Sequence, residues 1–305
     1  MNIKQLLILP LAALSLWGCV SEDRSDCYDN TELRFVYSVS DAEFPDKIKK
    51  VDVVLFDGEG KFHSFVQCDE NALKESRSVV LTLDPGTYYV VAWANVSEHS
   101  AYGDLTPRAS AFEDCKLEIP QNANDTGDPI YYAPYTRRPG TGANDLAPYA
   151  IEVRFGRKNV KILDFGRAHR TINVWVEGHI ETRAEGIAPT VEISNLWSAY
   201  DFFFNTRADR RTFSQQSQEK TVDGKLYTVA TFHTALGEID GRTDVTVRLT
   251  SAGTVWHTAN LKRFVEENNI TDTDEIDMLC SVGLDNGVSV TVPDWSDENV
   301  NPGID

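Results

Sequence analysis

The sequence predicts an all-β protein: two β-sandwich domains in series behind a short N-terminal tether. Three observations carry this expectation. Apolar and polar residues alternate with period two in run after run, the pattern of half-buried strands. Turn-forming groups such as Asp57-Gly58 and Asp84-Pro85-Gly86 punctuate these runs, as short antiparallel strands require. A helical period is nearly confined to one segment, Leu261 to Glu267, so the apolar faces must be buried sheet against sheet.

In chain order, Leu33, Phe35 and Tyr37 alternate with Arg34, Val36 and Ser38 and read as the first strand. Lys50 to Phe56 is rich in β-branched residues, runs into Asp57-Gly58, and returns through Phe62 to Val66. Ser78 to Leu83 and Thr87 to Ala94 read as strand and return strand around Asp84-Pro85-Gly86, where proline presets φ and glycine permits positive φ. Between about Asn122 and Pro148 the composition shifts to Gly, Pro and Asn around an aromatic island of Tyr131, Tyr132 and Tyr135. That stretch reads as a domain boundary or a long crossing loop. Beyond it, Tyr149 to Phe155, Thr171 to Val176, Thr190 to Ile193, Lys225 to His233, Val245 to Leu249 and Val288 to Val292 are strand-like. Leu261, Phe264 and Val265 share a face at helical spacing. The expected division is a signal segment at 1–18, a tether at 19–30, an N-terminal sandwich with linker at 31–148, and a C-terminal sandwich at 149–305.

The charge balance excludes several classes of partner. Forty-seven acidic residues stand against 29 basic ones, a formal charge of -18. Nucleic acid needs clustered Lys and Arg that release counterions from phosphates, so none is expected as a partner. General electrostatic docking on an anionic membrane is disfavoured for the same reason.

The N-terminus is more specific. Leu6 to Gly18 is a thirteen-residue apolar run broken only by Ser15, after Lys4. It is too short to span a bilayer, which needs about 20 residues, and fits the apolar region of a signal peptide. It ends Leu16-Trp17-Gly18-Cys19, which resembles a bacterial lipobox in which Cys19 is lipidated and begins the mature chain. Trp17 stands where that motif usually has a small residue. An ordinary signal peptide cut elsewhere is the alternative. If Cys19 carries several acyl chains, attachment is firm, because each buried methylene contributes about 0.8 kcal/mol. Ser21-Glu22-Asp23 follows at once; it resembles the acidic surface-export signals of Bacteroidales lipoproteins, and equally fits a solvated spacer.

Cys27, Cys68, Cys115 and Cys280 remain in the exported chain. An even count in an oxidising compartment makes all four disulfide candidates, with three possible connectivities. No pair has C-x-x-C spacing and no histidine lies at ligand spacing from one, so no metal site and no cofactor is expected. The six histidines are scattered, and no H-E-x-x-H, G-x-S-x-G or phosphate-binding loop occurs. No catalytic residue is assigned. Thr271 to Asp277 offers oxygens, but it lacks the central glycine and terminal glutamate of a calcium loop and reads as a solvated acidic loop. Trp93, Trp175, Trp197, Trp256 and Trp295 read as core anchors, with sugar stacking as the alternative. Arg137-Arg138 lies in a Gly- and Pro-rich stretch, a place where proteolytic nicking concentrates. The alternative there is an ordinary basic spot on a linker.

Several segments together resemble a known family. They are the lipobox followed by Glu22-Asp23-Arg24-Ser25-Asp26-Cys27, the stretch Val53 to Gly60, the stretch Leu83 to Asn95, and the terminal Val288 to Trp295. The chain resembles the FimB-like fimbrial subunit family of Bacteroidales, over nearly its whole length. The resemblance implies two transthyretin-like sandwich domains, export as an outer-membrane lipoprotein, and a non-enzymatic anchor or accessory role. The implied partners are a major or minor fimbrial shaft subunit, joined by strand complementation, and the outer membrane, joined through the lipid. A surface glycan-binding or adhesin lipoprotein is the other reading. Stalk subunits of such fimbriae are cut by an arginine-specific protease, which frees an acceptor groove. An anchor would lose its lipid by that cut and is expected to escape it. Arg24 and Arg34 are the arginines nearest the tether.

Overall fold

The computed structural model describes residues 30–118, 126–136, 144–154, 156–177, 188–248, 255–282 and 288–293. The first eleven strands are β1 (Asn30–Val36), β2 (Val51–Phe56), β3 (Phe62–Cys68), β4 (Ser78–Thr82), β5 (Gly86–Ala94), β6 (Ala101–Tyr102), β7 (Lys116–Glu118), β8 (Tyr131–Ala133), β9 (Ala150–Val153), β10 (Asn159–Asp164) and β11 (Gly166–Arg167). Nine of them build a three-stranded sheet ordered β10-β1-β4 and a six-stranded sheet ordered β11-β8-β5-β2-β3, with β9 also on β5, while β6 and β7 pair in a further small sheet. Leu33, Phe35 and Leu163 from the small sheet meet Val51, Val53, Leu55, Val90 and Ala92 from the large one in a single core. The chain is an all-β sandwich, as its period-two pattern predicts.

The large sheet is buried on both faces, which explains why β2 is buried at every position. Its second face carries Val54, Phe56, Val91 and Trp93, packed under Phe112, Tyr149, Tyr200 and Phe202 to Phe204. Continuous apolar runs are what a doubly covered sheet demands.

The later strands are β12 (His169–Glu177), β13 (Thr190–Trp197), β14 (Ala199–Asp201), β15 (Arg210–Gln216), β16 (Gln218–Val222), β17 (Lys225–Ala235), β18 (Asp244–Arg248), β19 (Val255–Asn260), β20 (Glu275–Val282) and β21 (Val288–Thr291). All but β14 give a five-stranded sheet, β16-β17-β12-β20-β21, and a four-stranded sheet, β15-β13-β18-β19. Ile172, Val174, Phe232, Ile276 and Met278 face Val191, Ile193, Phe213 and Val247 across a second sandwich core. Helices are short: α1 (Phe44–Lys47), α2 (Glu70–Glu75) and α3 (Leu261–Glu267). α3 occupies the predicted residues. Asn260 caps it by accepting from the Arg263 amide, and Leu261 and Phe264 are buried, as its face spacing requires.

β9 pairs with β5 and β10 pairs with β1, so both strands join the first two sheets. Two expectations change. Strands β4 and β5 are not hairpin partners. β4 pairs with β1 and β5 with β2, so Asp84-Pro85-Gly86 crosses between sheets. Glu275, Ile276 and Asp277 belong to a central strand, not to an acidic loop; β20 lies parallel to β12, and Asp277 accepts from Asn173 Nδ2 at 3.1 Å and Trp175 Nε1 at 2.9 Å.

The aromatic island is also structural. Tyr131 and Tyr132 are buried on β8, and Tyr132 Oη donates to the Phe202 carbonyl at 2.7 Å. β14 pairs with β7, so a strand from the later half completes a small sheet with the earlier one.

Candidate strand-complementation site

The first described strand is the middle of its sheet. β1 pairs in parallel with β10, from Thr31 opposite Asn159 to Val36 opposite Asp164. On its other side it pairs antiparallel with β4, from Asn30 opposite Thr82 to Arg34 opposite Ser78. Its alternation is the one the sequence shows: Thr31, Leu33, Phe35 and Tyr37 are buried, while Arg34 is exposed. Leu33 is fully buried and Phe35 is 2% exposed, and each such side chain contributes roughly 1.5–3 kcal/mol by burial. Phe35 also meets Phe165 edge to face at 6.1 Å.

This arrangement defines a slot. Without β1, the facing edges of β10 and β4 would stand two strand spacings apart, about 10 Å, above the pockets now filled by Leu33 and Phe35. An incoming strand with alternate apolar side chains could then complete both ladders. With β1 in place, β10 and β4 are the outer strands of this sheet and β21 is an outer strand of the five-stranded one. Such edges are where a foreign strand adds. The outer face of the small sheet carries three exposed apolar side chains, Val80, Val160 and Ile162. They flank Glu32 and Arg34, which pair at 2.9 Å. Glu32 is held down to about 2, chiefly by its hydrogen bond to Arg34 and then by Lys158. Sequence reasoning missed β10, although Val160 and Ile162 alternate there with Lys161 and Leu163.

The predicted site residues fall into two groups. Cys19, Cys27, Arg24, Arg137, Arg138 and Trp295 lie outside the described residues. Cys68, Cys115 and Cys280 are buried free thiols in three separate cores, so no two of them form a bridge. Burial pushes Cys115 and Cys280 up to about 12, and Cys115 Sγ donates to the Ala111 carbonyl at 3.1 Å. They behave as small core residues. Trp93 and Trp175 are core anchors, at 0% and 2% exposure. Trp197 is partly buried, with its indole donating to the Glu238 carbonyl and the Arg210 guanidinium 3.8 Å above its ring.

His169 and His233 lie edge to face at 5.2 Å where β12 begins. His169 Nδ1 bonds the Ile130 carbonyl at 2.9 Å. Burial, then each other's charge and Arg167, keeps His169 well below its ordinary value. Burial and Arg167 bring His233 to about 4. Both are packing residues at a junction of elements. Among the described residues, no three His, Cys, Asp or Glu side chains group as a metal site, and no helix is long and apolar enough to cross a membrane.

Comparison with known proteins agrees with this architecture. The chain is similar in fold to the fimbrial anchor protein Mfa2 from Porphyromonas gingivalis, with TM-score 0.58, 15% identity, and coverage of 87% of this chain and 95% of that one. It is similar to a candidate adhesin from Bacteroides ovatus, with TM-score 0.64, 17% identity, and coverage of 88% and 94%. A candidate adhesin from Bacteroides thetaiotaomicron gives TM-score 0.63 at 13% identity, with coverage of 90% and 98%. No curated protein matches the sequence significantly. The family model of the fimbrillin-A associated anchor proteins Mfa1 and Mfa2 matches residues 24–301. That match spans nearly the whole chain, which therefore belongs to the fimbrillin-A associated anchor family and is a fimbrial subunit.

Proposed function

We propose that this chain is the lipid-anchored base of a fimbrium. Cys19 holds it in the outer membrane at the cell surface, and one of its sheet edges joins a fimbrial shaft subunit by strand complementation. The observation that carries this reading is the position of β1. It is the first strand after the tether, and it is paired on both sides. A pull on the tether runs along β1 and loads both ladders together, so the strand resists withdrawal in shear. That suits a subunit that must pass load from a lipid to a shaft. It also suits a subunit that keeps its first strand, where a stalk subunit gives it up.

The role is structural: ladder hydrogen bonds and apolar pockets do the work, with no bond made or broken. A glycan-binding reading would need exposed aromatic platforms, and of the candidate tryptophans Trp93 and Trp175 are buried. Isolation of the epitope-tagged chain from mildly solubilised outer membrane tests the proposal. A major or minor shaft subunit should come down with it in near-stoichiometric amount. Recovery of the chain free of any fimbrial subunit would contradict the proposal.

A further inference from the structure

A small cavity lies where the earlier and later strands meet. Ser100, Asp128 and Ile130 line it from the earlier half of the chain, and Ser198, Tyr200 and Thr234 from the later half. It sits beside the pairing of β7 with β14. Its free volume is about 10 Å³, the room that one water molecule requires. Ser100 closes the turn from Ser97 between β5 and β6, and is 6% exposed. Its hydroxyl is shielded from solvent and has no hydrogen-bond partner among the described residues. Burying a hydroxyl unpaired is costly, and buried polar groups left over by the protein are where internal waters bind.

The rest of the wall is rich in acceptors. Thr234 Oγ1 donates its proton to the Trp197 carbonyl at 2.6 Å, and Ser198 Oγ donates to the Asp209 carbonyl at 3.0 Å, so each keeps only lone pairs to offer. Asp128, 4% exposed, accepts from the Ser97 amide at 2.8 Å and the Ser97 hydroxyl at 2.6 Å. That leaves about two of its four acceptor positions open. Glu118, the other acid in the wall, is engaged by Lys116 and Arg211. We propose that this cavity is the binding site of a single internal water, which accepts from Ser100 and donates to Asp128 and to the Thr234 or Ser198 hydroxyl. The water ties the turn after β5 to strands of the later half, at the joint that β7 and β14 also hold. A sodium ion is the competing occupant, but it coordinates oxygens alone and leaves the Ser100 proton unpaired.

Ser100→Ala deletes one of the water's partners and should raise the unfolded-to-folded ratio about fivefold in urea unfolding. An unpaired hydroxyl beside a dry cavity predicts the reverse, so a variant as stable as the parent, or more stable, would overturn the proposal. A high-resolution crystal structure of the purified parent chain should show one water within hydrogen-bond reach of Ser100 and Asp128. A cavity without density there would also overturn it. Exchanging sodium chloride for choline chloride at equal ionic strength should change the stability of the parent and of Ser100→Ala alike. A loss of stability confined to the parent would overturn the proposal and assign the cavity to a cation.

Discussion

Arg34 grips Glu32 along the outer face of β1, with Nε to Oε1 at 2.9 Å and Nη2 to Oε2 at 3.1 Å. Lys158 reaches the same carboxylate, so β1 is tied to the turn before β10 as well as paired with β10. The Arg34-Phe35 bond is thereby held in a doubly paired strand, where a protease cannot take it as an extended substrate. We predict that an arginine-specific protease leaves it intact in the folded chain while cutting a free peptide of residues 30–38. N-terminal sequencing of the digest checks this. A main product beginning at Phe35 would show that β1 can be shed.

The two faces of the same sheet should respond very differently to truncation. Phe35→Ala should cost about 3–5 kcal/mol, because it leaves a cavity in the core. Ile162→Thr, at a position 60% exposed, should stay within about 0.5 kcal/mol. Urea unfolding at neutral pH measures both.

Gly166 and Gly60 make a second contrast. A Cβ on Gly166 would stand 2.1 Å from the Tyr135 ring, so Gly166→Ala must displace that ring, at roughly 1–3 kcal/mol. A Cβ on Gly60 meets nothing within 4 Å, but the backbone there has φ of 75°. Gly60→Ala should therefore cost only the left-handed strain, about 1–2 kcal/mol. Adding Tyr135→Ala should relieve the first variant and leave the second unchanged.

The two neighbouring histidines, His169 buried and His233 half-buried, give stability a defined pH dependence. Both are held neutral in the folded chain and titrate near 6.5 when unfolded. Their contribution is complete above about pH 6.5 and is lost as pH falls toward about 4, where His233 titrates in the fold. The loss from His233 alone amounts to up to about 3 kcal/mol. Glu32 acts in a lower window, between its ordinary value of 4.5 and about 2. Melting temperature should fall between pH 6.5 and 5, and His233→Gln should flatten that slope. An unchanged slope would contradict the assignment.

How much of this was legible in the sequence depended on where partners lie. The alternation of Leu33, Phe35 and Tyr37 and the face of α3 are local patterns, and both were read correctly. Pairing is not local. β9 returns to β5 and β10 to β1, and neither strand's own residues name that partner. Asp84-Pro85-Gly86 has hairpin chemistry, but a turn does not say whether the next strand stays in the same sheet. Asp277 looked like loop polarity because its buried donors, Asn173 and Trp175, lie far back in the chain. The slot filled by β1 was visible only as a strand, since its significance comes from having neighbours on both sides.

The central claim is that this fimbrial subunit holds its fimbrium to the cell through Cys19. Replacing Cys19 with Ala, and measuring how the protein and its fimbriae divide between cells and medium, tests that most directly. The account predicts that protein and fimbriae both appear in the medium, with few fimbriae left on the cells. Fimbriae that remain cell-bound and unchanged in length in the Cys19→Ala strain would contradict it.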